Sequence, residues 1–139
     1  MFNKILLAAD GSAHSIRSFE KSLHLLEDNP NGEMTVIYVI DGQRSKEDIL
    51  HHYDQTVVEE KRKKRLAPIE EKLQEKNITY KIEILHGEPG PTIVNYANSN
   101  HFDLVVIGSR GLNKFQEMVL GSVSHKVAKR VKAPVMIVK

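Results

Sequence analysis

The chain has 139 residues, 40% of them apolar, which is the size of one domain, residues 1 to 139, around one core. Its formal charge of +2 is too slight to argue for a polyanionic partner, and with no cysteine it has no disulfide, thiolate nucleophile or thiolate metal ligand. The opening MFNKILLAADGS reaches Asp10 too soon for a signal peptide and no apolar run approaches membrane-spanning length, so a soluble, cytoplasmic protein that engages no membrane is expected.

Residues 4 to 9, KILLAA, form an unbroken apolar run halted by Asp10, Gly11 and Ser12, the pattern of a strand buried on both faces of a parallel sheet. Ser12 then stands as N-cap to a helix whose Ile16, Phe19, Leu23 and Leu26 recur at three- and four-residue spacing until EDNPNG stops it. Residues 34 to 40, MTVIYVI, are rich in β-branched side chains and end at another Asp-Gly pair, predicting a second buried strand.

From Ser45 to Asn77 the chain is strongly charged and lacks glycine. It reads as mainly helical and exposed, with Ile49, Tyr53 and Val57 on one stripe and Leu66, Ile69 and Leu73 on another. Pro68 inside that pattern predicts a kink or break near residues 64 to 68. The basic run EEKRKKR at 59 to 65 raises the question of nucleic acid, but Glu59 to Lys63 and Glu60 to Lys64 are favourably oriented four-residue pairs with no interleaved aromatic. A solvated helix face without nucleic acid is expected.

Residues 80 to 85, YKIEIL, alternate, with Ile82 and Ile84 on one face, and predict a more exposed edge strand. GEPGP at 87 to 91 is turn chemistry that leaves Pro91 in the first turn of a third helix. DLVVIG, 103 to 108, and PVMIVK, 134 to 139, read as the fourth and fifth strands, the latter opened by a proline. Between them, Val123, Val127 and Val131 share the face of a helix. Strands separated by helices imply right-handed βαβ units, hence an α/β fold with a mostly parallel, doubly wound sheet. Ligands of such sheets bind outside the carboxyl ends of the strands where the strand order reverses, a rule that gathers Asp10, the region of Val39, and Gly108 onward at one rim.

The stretch GSRGLNKFQEMVLGS, 108 to 122, has the parts of a phosphate cradle. Gly108 can turn the chain at the strand end, Gly111 allows close backbone approach, and Gly121 with Ser122 places N–H groups and a hydroxyl at the start of the last helix. Arg110 and Lys114 add positive charge. A plain βα connection would use the same letters, and neither a P-loop nor a GxGxxG follows the first strand.

ILLAADGS, VIYVID, GSRGLNKFQEMVLGSVS and the terminal APVMIVK together resemble the universal stress protein family, in the branch whose signature is Gly-x2-Gly-x9-Gly-Ser/Thr, over nearly the whole chain. The resemblance implies a single Rossmann-like domain of strand order 3-2-1-4-5 that binds ATP, with Mg²⁺ or Mn²⁺ accompanying it. It also implies a homodimer, often made through the last strand, here Val135 to Val138. Carried over by position, Ala8 and Asp10 line the nucleotide at the end of the first strand, Asp10 near the ribose or the metal-phosphate group. Val39 meets adenine through its backbone, Ile107 and Gly108 lie on the base and ribose side, and Gly111, Gly121, Ser122 and Val123 contact the phosphates. Ala8 stands where some members have proline, and Arg110 falls at a variable position. Asp10 alone would read as a helix-capping residue and Val39 as core, and both roles are compatible with binding.

The histidines show no metal-ligand spacing and no GxSxG elbow occurs, so no catalytic residue is assigned and hydrolysis is expected to be slow or absent. The leading expectation is an ATP-binding stress-response module in which occupancy biases conformation or dimerisation. A slow ATPase or autophosphorylating enzyme, and a structural dimer independent of nucleotide, are the alternatives.

Overall fold

The computed structural model describes residues 2–40, 55–110 and 121–139, with the side chains of the second helix from residue 59 onward. In chain order the elements are β1 (Lys4–Ala8), α1 (Ala13–His24), β2 (Glu33–Ile40), α2 (Gln55–Glu75), β3 (Thr79–His86), α3 (Pro89–Ser99), β4 (Leu104–Gly108), α4 (Ser122–Arg130) and β5 (Val135–Val138). The strands form one sheet of order β3-β2-β1-β4-β5, every neighbouring pair parallel. This is the Rossmann-like, doubly wound arrangement.

Alternate residues of each strand feed two cores. On one face Ile5, Leu7, Val36 and Val106 pack against Phe19 and Leu23 of α1 and Leu66, Ile69 and Leu73 of α2. On the other, Leu6, Ala8, Val105 and Ile107 meet Ile93, Val94 and Ala97 of α3 and Val127 of α4. Helices on both faces explain why β1 and β4 are apolar without alternation: every residue from Ile5 to Ala8 and from Leu104 to Gly108 is buried. β3, at the sheet edge, is the exposed, alternating strand its sequence predicts.

Ser12 caps α1 as expected, its hydroxyl accepting from the Ser15 N–H at 3.2 Å. Of the kink or break predicted near residues 64 to 68, the break does not occur: α2 runs through Pro68 from Gln55 to Glu75. Proline removes the N–H that would bond to the Lys64 carbonyl, but both residues are exposed, so water can take that carbonyl. Leu66, Ile69 and Leu73, each 2% exposed or less, hold the helix on either side of the defect. The helix ends at Asn77 with φ +55°, where the Ile78 N–H donates back to the Leu73 carbonyl at 3.0 Å, a Schellman-type stop. Neither predicted pair, Glu59 to Lys63 or Glu60 to Lys64, closes to within ion-pair distance among the described residues. Their side chains are exposed, and a solvated pair of this kind gains little by closing. The stripe of Ile49, Tyr53 and Val57, and the loop residues Gly111 and Lys114, lie outside the described positions.

The chain lays down β1, β2 and β3 moving one way, then α3 carries it back to β4 and β5. The order therefore reverses between β1 and β4, and the segments leaving those two strands define the rim.

Candidate functional site

The segment after β1 is closed by its own hydrogen bonds. Asp10 Oδ1 accepts from the Ser12 N–H at 2.8 Å, an Asx turn. The Gly11 N–H donates to Ser15 Oγ at 3.1 Å, and Ser15 Oγ donates to the Ser12 carbonyl at 3.0 Å. Gly11 sits at φ +84°, and α2 leaves no room for a side chain there: a Cβ would meet Arg65 Cβ at 2.6 Å. The start of α1 thus supplies its own cap.

The start of α4 does not. Its N-cap is Gly121, with no side-chain cap bond, and Ser122 is the first helical residue rather than the cap. The first intrahelical bond runs from the His125 N–H to the Gly121 carbonyl at 2.9 Å. The N–H groups of Ser122, Val123 and Ser124 therefore have no acceptor within the helix, and the macrodipole adds partial positive charge to them. This revises the sequence reading at Gly121, whose own N–H is consumed by the Ser109 carbonyl at 2.9 Å.

That Ser109 carbonyl is the clasp of the loop. It also receives the hydroxyl of buried Ser124 at 3.1 Å, a hydrogen that Ser124 shares with the Gly121 carbonyl at 3.0 Å. Ser109 is pinned in turn by its N–H, which donates to the Val138 carbonyl at 2.8 Å. The two ends of the glycine-bearing stretch are so held side by side, and a Cβ on Gly121 would lie 3.3 Å from the Ser109 oxygen. Gly108 has a different role from the sharp turn its sequence suggests. It is the last residue of β4, paired with Val138, and a Cβ on it would stand 3.0 Å from His14 Cβ in the first turn of α1. Glycine there lets α1 approach the strand.

Ala8 is the buried last residue of β1, and Val39 lies one residue before the end of β2, half-buried opposite Leu85 of β3. Ile107 is buried beneath Gly108. The structure brings Ala8, Asp10, Gly108, Arg110, Gly121, Ser122 and Val123 to the ends of β1 and β4, with Val39 one strand further along the rim. Gly111 lies outside the described residues.

Two side chains that the sequence reading passed over also stand here. His14 Nδ1 is 2.9 Å from Arg17 Nη2, and Arg17 Nε donates to the Lys139 main-chain oxygen at 3.2 Å. Burial, then Arg17, then Arg110 hold the His14 imidazole below its ordinary pKa, while Asp10 opposes them. Their signal was present: a helix started by Ser12 puts positions 14 and 17 on one face of its first turns. Among the described residues no group of three or more metal-ligating side chains occurs. A donor set of helix N–H groups and cations beside one carboxylate fits a polyphosphate with its metal.

Comparison with known proteins agrees with this architecture. The profile of the universal stress protein family matches residues 1–139. The chain belongs to that family. It is 34% identical over 149 aligned residues to the universal stress protein YxiE of Bacillus subtilis, covering all of both chains. The solved structure of MJ0577, a universal stress protein of Methanocaldococcus jannaschii, superposes with a TM-score of 0.87 at 27% identity, covering 100% of this chain and 96% of that one. A family protein from Arabidopsis thaliana, solved with AMP bound, shares the fold at TM-score 0.69 and 21% identity, over 99% and 91% of the two chains. Among the described residues of this universal stress protein no helix is long and apolar enough to cross a membrane.

Proposed function

We propose that this universal stress protein binds ATP, with Mg²⁺ or Mn²⁺ on the phosphates, at the rim between β1 and β4, and that occupancy biases its conformation or its dimerisation. The observation that carries the reading is the start of α4, where, among the described residues, the N–H groups of Ser122, Val123 and Ser124 have no acceptor within the helix and stand beside Arg110. The neighbouring helix start, on α1, is self-capped. A phosphate chain accepts from such donors without competing side chains. Val39 and Ile107 are strand residues whose peptide groups lie on the base side, and Asp10 lies toward the ribose or the metal-bearing phosphates. The bound nucleotide of the Arabidopsis relative supports adenine as the base.

Ser122→Pro is the sharp test. Proline is favoured at the first helical position, and Gly121 already has the extended conformation, φ −61° and ψ 157°, that a following proline requires. The variant removes one N–H and one hydroxyl while leaving α4 intact. Calorimetric titration with ATP and Mg²⁺ is expected to show affinity about tenfold or more below wild type, the worth of a charge-assisted hydrogen bond, with an unchanged thermal midpoint. Gly121→Val, which forces a side chain against the Ser109 oxygen, is expected to weaken binding further. Equal affinity in all three proteins would remove the nucleotide from this site. Phosphate release above a protein-free control, lost in Asp10→Ala, would add slow hydrolysis to binding.

A further inference from the structure

We infer that His14, with Arg17 and Arg110, forms a proton-linked receptor for the terminal phosphates of the nucleotide, so that this site holds its anion more tightly as pH falls. The inference rests on the nucleotide reading above and adds to it a regulation of the same site.

The placement comes from the strip Gly108 to Arg110. On one side His14 packs on Gly108, with 3.0 Å between its Cβ and the position a Cβ on that glycine would take; on the other, Gly121 lies 4.0 Å from Arg110 Cα measured in the same way. The first turn of α1 and the uncapped start of α4 therefore flank one short piece of backbone. The chemistry comes from the 2.9 Å bond between Arg17 Nη2 and His14 Nδ1. A guanidinium can only donate, so Nδ1 must accept, and the imidazole is neutral with its proton on Nε2. A proton arriving at Nδ1 destroys that acceptor and sets two cations side by side. The charged groups around the ring are Arg17 from α1, Arg110 after β4 and Asp10 after β1, two cations against one carboxylate. Without a ligand that balance disfavours the charged ring and leaves Arg17 bonded to it.

A polyphosphate reverses that balance. Its charge offsets the repulsion, His14 takes a proton from solvent at Nδ1, the imidazolium so formed gains an anionic partner, and the released guanidinium donates to the same anion. The Nε bond from Arg17 to the Lys139 main-chain oxygen keeps its arm at the rim.

Titration of ATP with Mg²⁺ into the full-length wild type and His14→Gln at about pH 8 and about pH 5.5, where only imidazole among the neutral-range side chains changes charge, reads the linkage. Each protein is compared with itself, so the nucleotide's own titration, common to both, cancels. Wild-type affinity is expected to rise relative to His14→Gln by about tenfold for every unit by which binding raises the imidazole pKa. The His14 ring signal in NMR, identified by its loss in His14→Gln, is expected to titrate below the ordinary imidazole range in the free protein and higher with ATP bound. Equal pH ratios in the two proteins, or a ring titration unmoved by ATP, would overturn the receptor while leaving nucleotide binding in place. No ATP binding by wild type at either pH would overturn the nucleotide reading and this inference with it.

Discussion

Gly11 and His14, three positions apart, show how much of the rim is decided by what leans on it. Gly11 is left-handed at φ +84° and has Arg65 of α2 within 2.6 Å of a Cβ position, so both backbone strain and overpacking oppose any side chain. Gly11→Ala is expected to cost about 1–3 kcal/mol, read as a lower thermal midpoint. Arg65 itself donates to the Tyr38 hydroxyl at 2.7 Å, which ties α2 to the end of β2 at the same corner. His14 carries a pH signature in the free protein as well. Burial, Arg17 and Arg110 depress its pKa in the fold, so between the folded value and the unfolded value of about 6.5 the unfolded chain binds more protons. Stability is therefore expected to fall as pH drops through about 6.5, and His14→Gln is expected to flatten that slope in chemical denaturation. Asp103, whose carboxylate accepts the N–H groups of Asn3 at 3.1 Å and Lys4 at 2.9 Å, has its pKa lowered by those bonds. It adds stability that is present above its unfolded pKa and lost as pH falls through the folded one.

At the scale of elements, α2 and the two rim helices carry the lessons. Pro68 was legible as a defect but not as a tolerated one, because the tolerance comes from Leu66, Ile69 and Leu73 gripping the sheet on either side of it, and a one-dimensional pattern does not contain that grip. Pro68→Ala is expected to stabilise the protein by about 1–2 kcal/mol, the interior-proline penalty less the chain entropy that proline removes from the unfolded state. Leu73→Ala, at 0% exposure, is expected to cost about 2–5 kcal/mol. The contrast between α1 and α4 was half legible. Ser12 announced a capped helix, and Gly121 with Ser122 announced the start of another without deciding which residue would stand at its cap. The bond from the Gly121 N–H to the Ser109 carbonyl joins positions well separated in the chain, and local sequence could not give it.

For the whole molecule, the sheet presents β5 as an edge of four half-buried apolar residues, which supports the proposal of a homodimer through this strand. Ser109 donates to Val138, and the Val105 N–H donates to the Pro134 carbonyl. Parallel alternation then points the backbone of Met136 and Val138 toward β4 and that of Val135 and Ile137 outward. Sedimentation of wild type at micromolar concentration is expected to give twice the chain mass. Ile137→Pro, which deletes an outward N–H and spares the β4 ladder, is expected to give the chain mass.

The sequence by itself determined the elements and their class: unbroken runs such as KILLAA and LVVIG require a sheet covered on both faces, and the glycines of 108 to 122 together with Asp10 marked the rim, because apolar periodicity and turn chemistry are local properties. Tertiary structure decided how the backbone donors at that rim are shared among the described residues. Gly108 proved to be a point of close approach rather than a turn, Gly121 gave its N–H to Ser109, and His14 with Arg17 came to stand beside Gly108, because each of these depends on segments far apart in the chain being pressed against one another by the two cores.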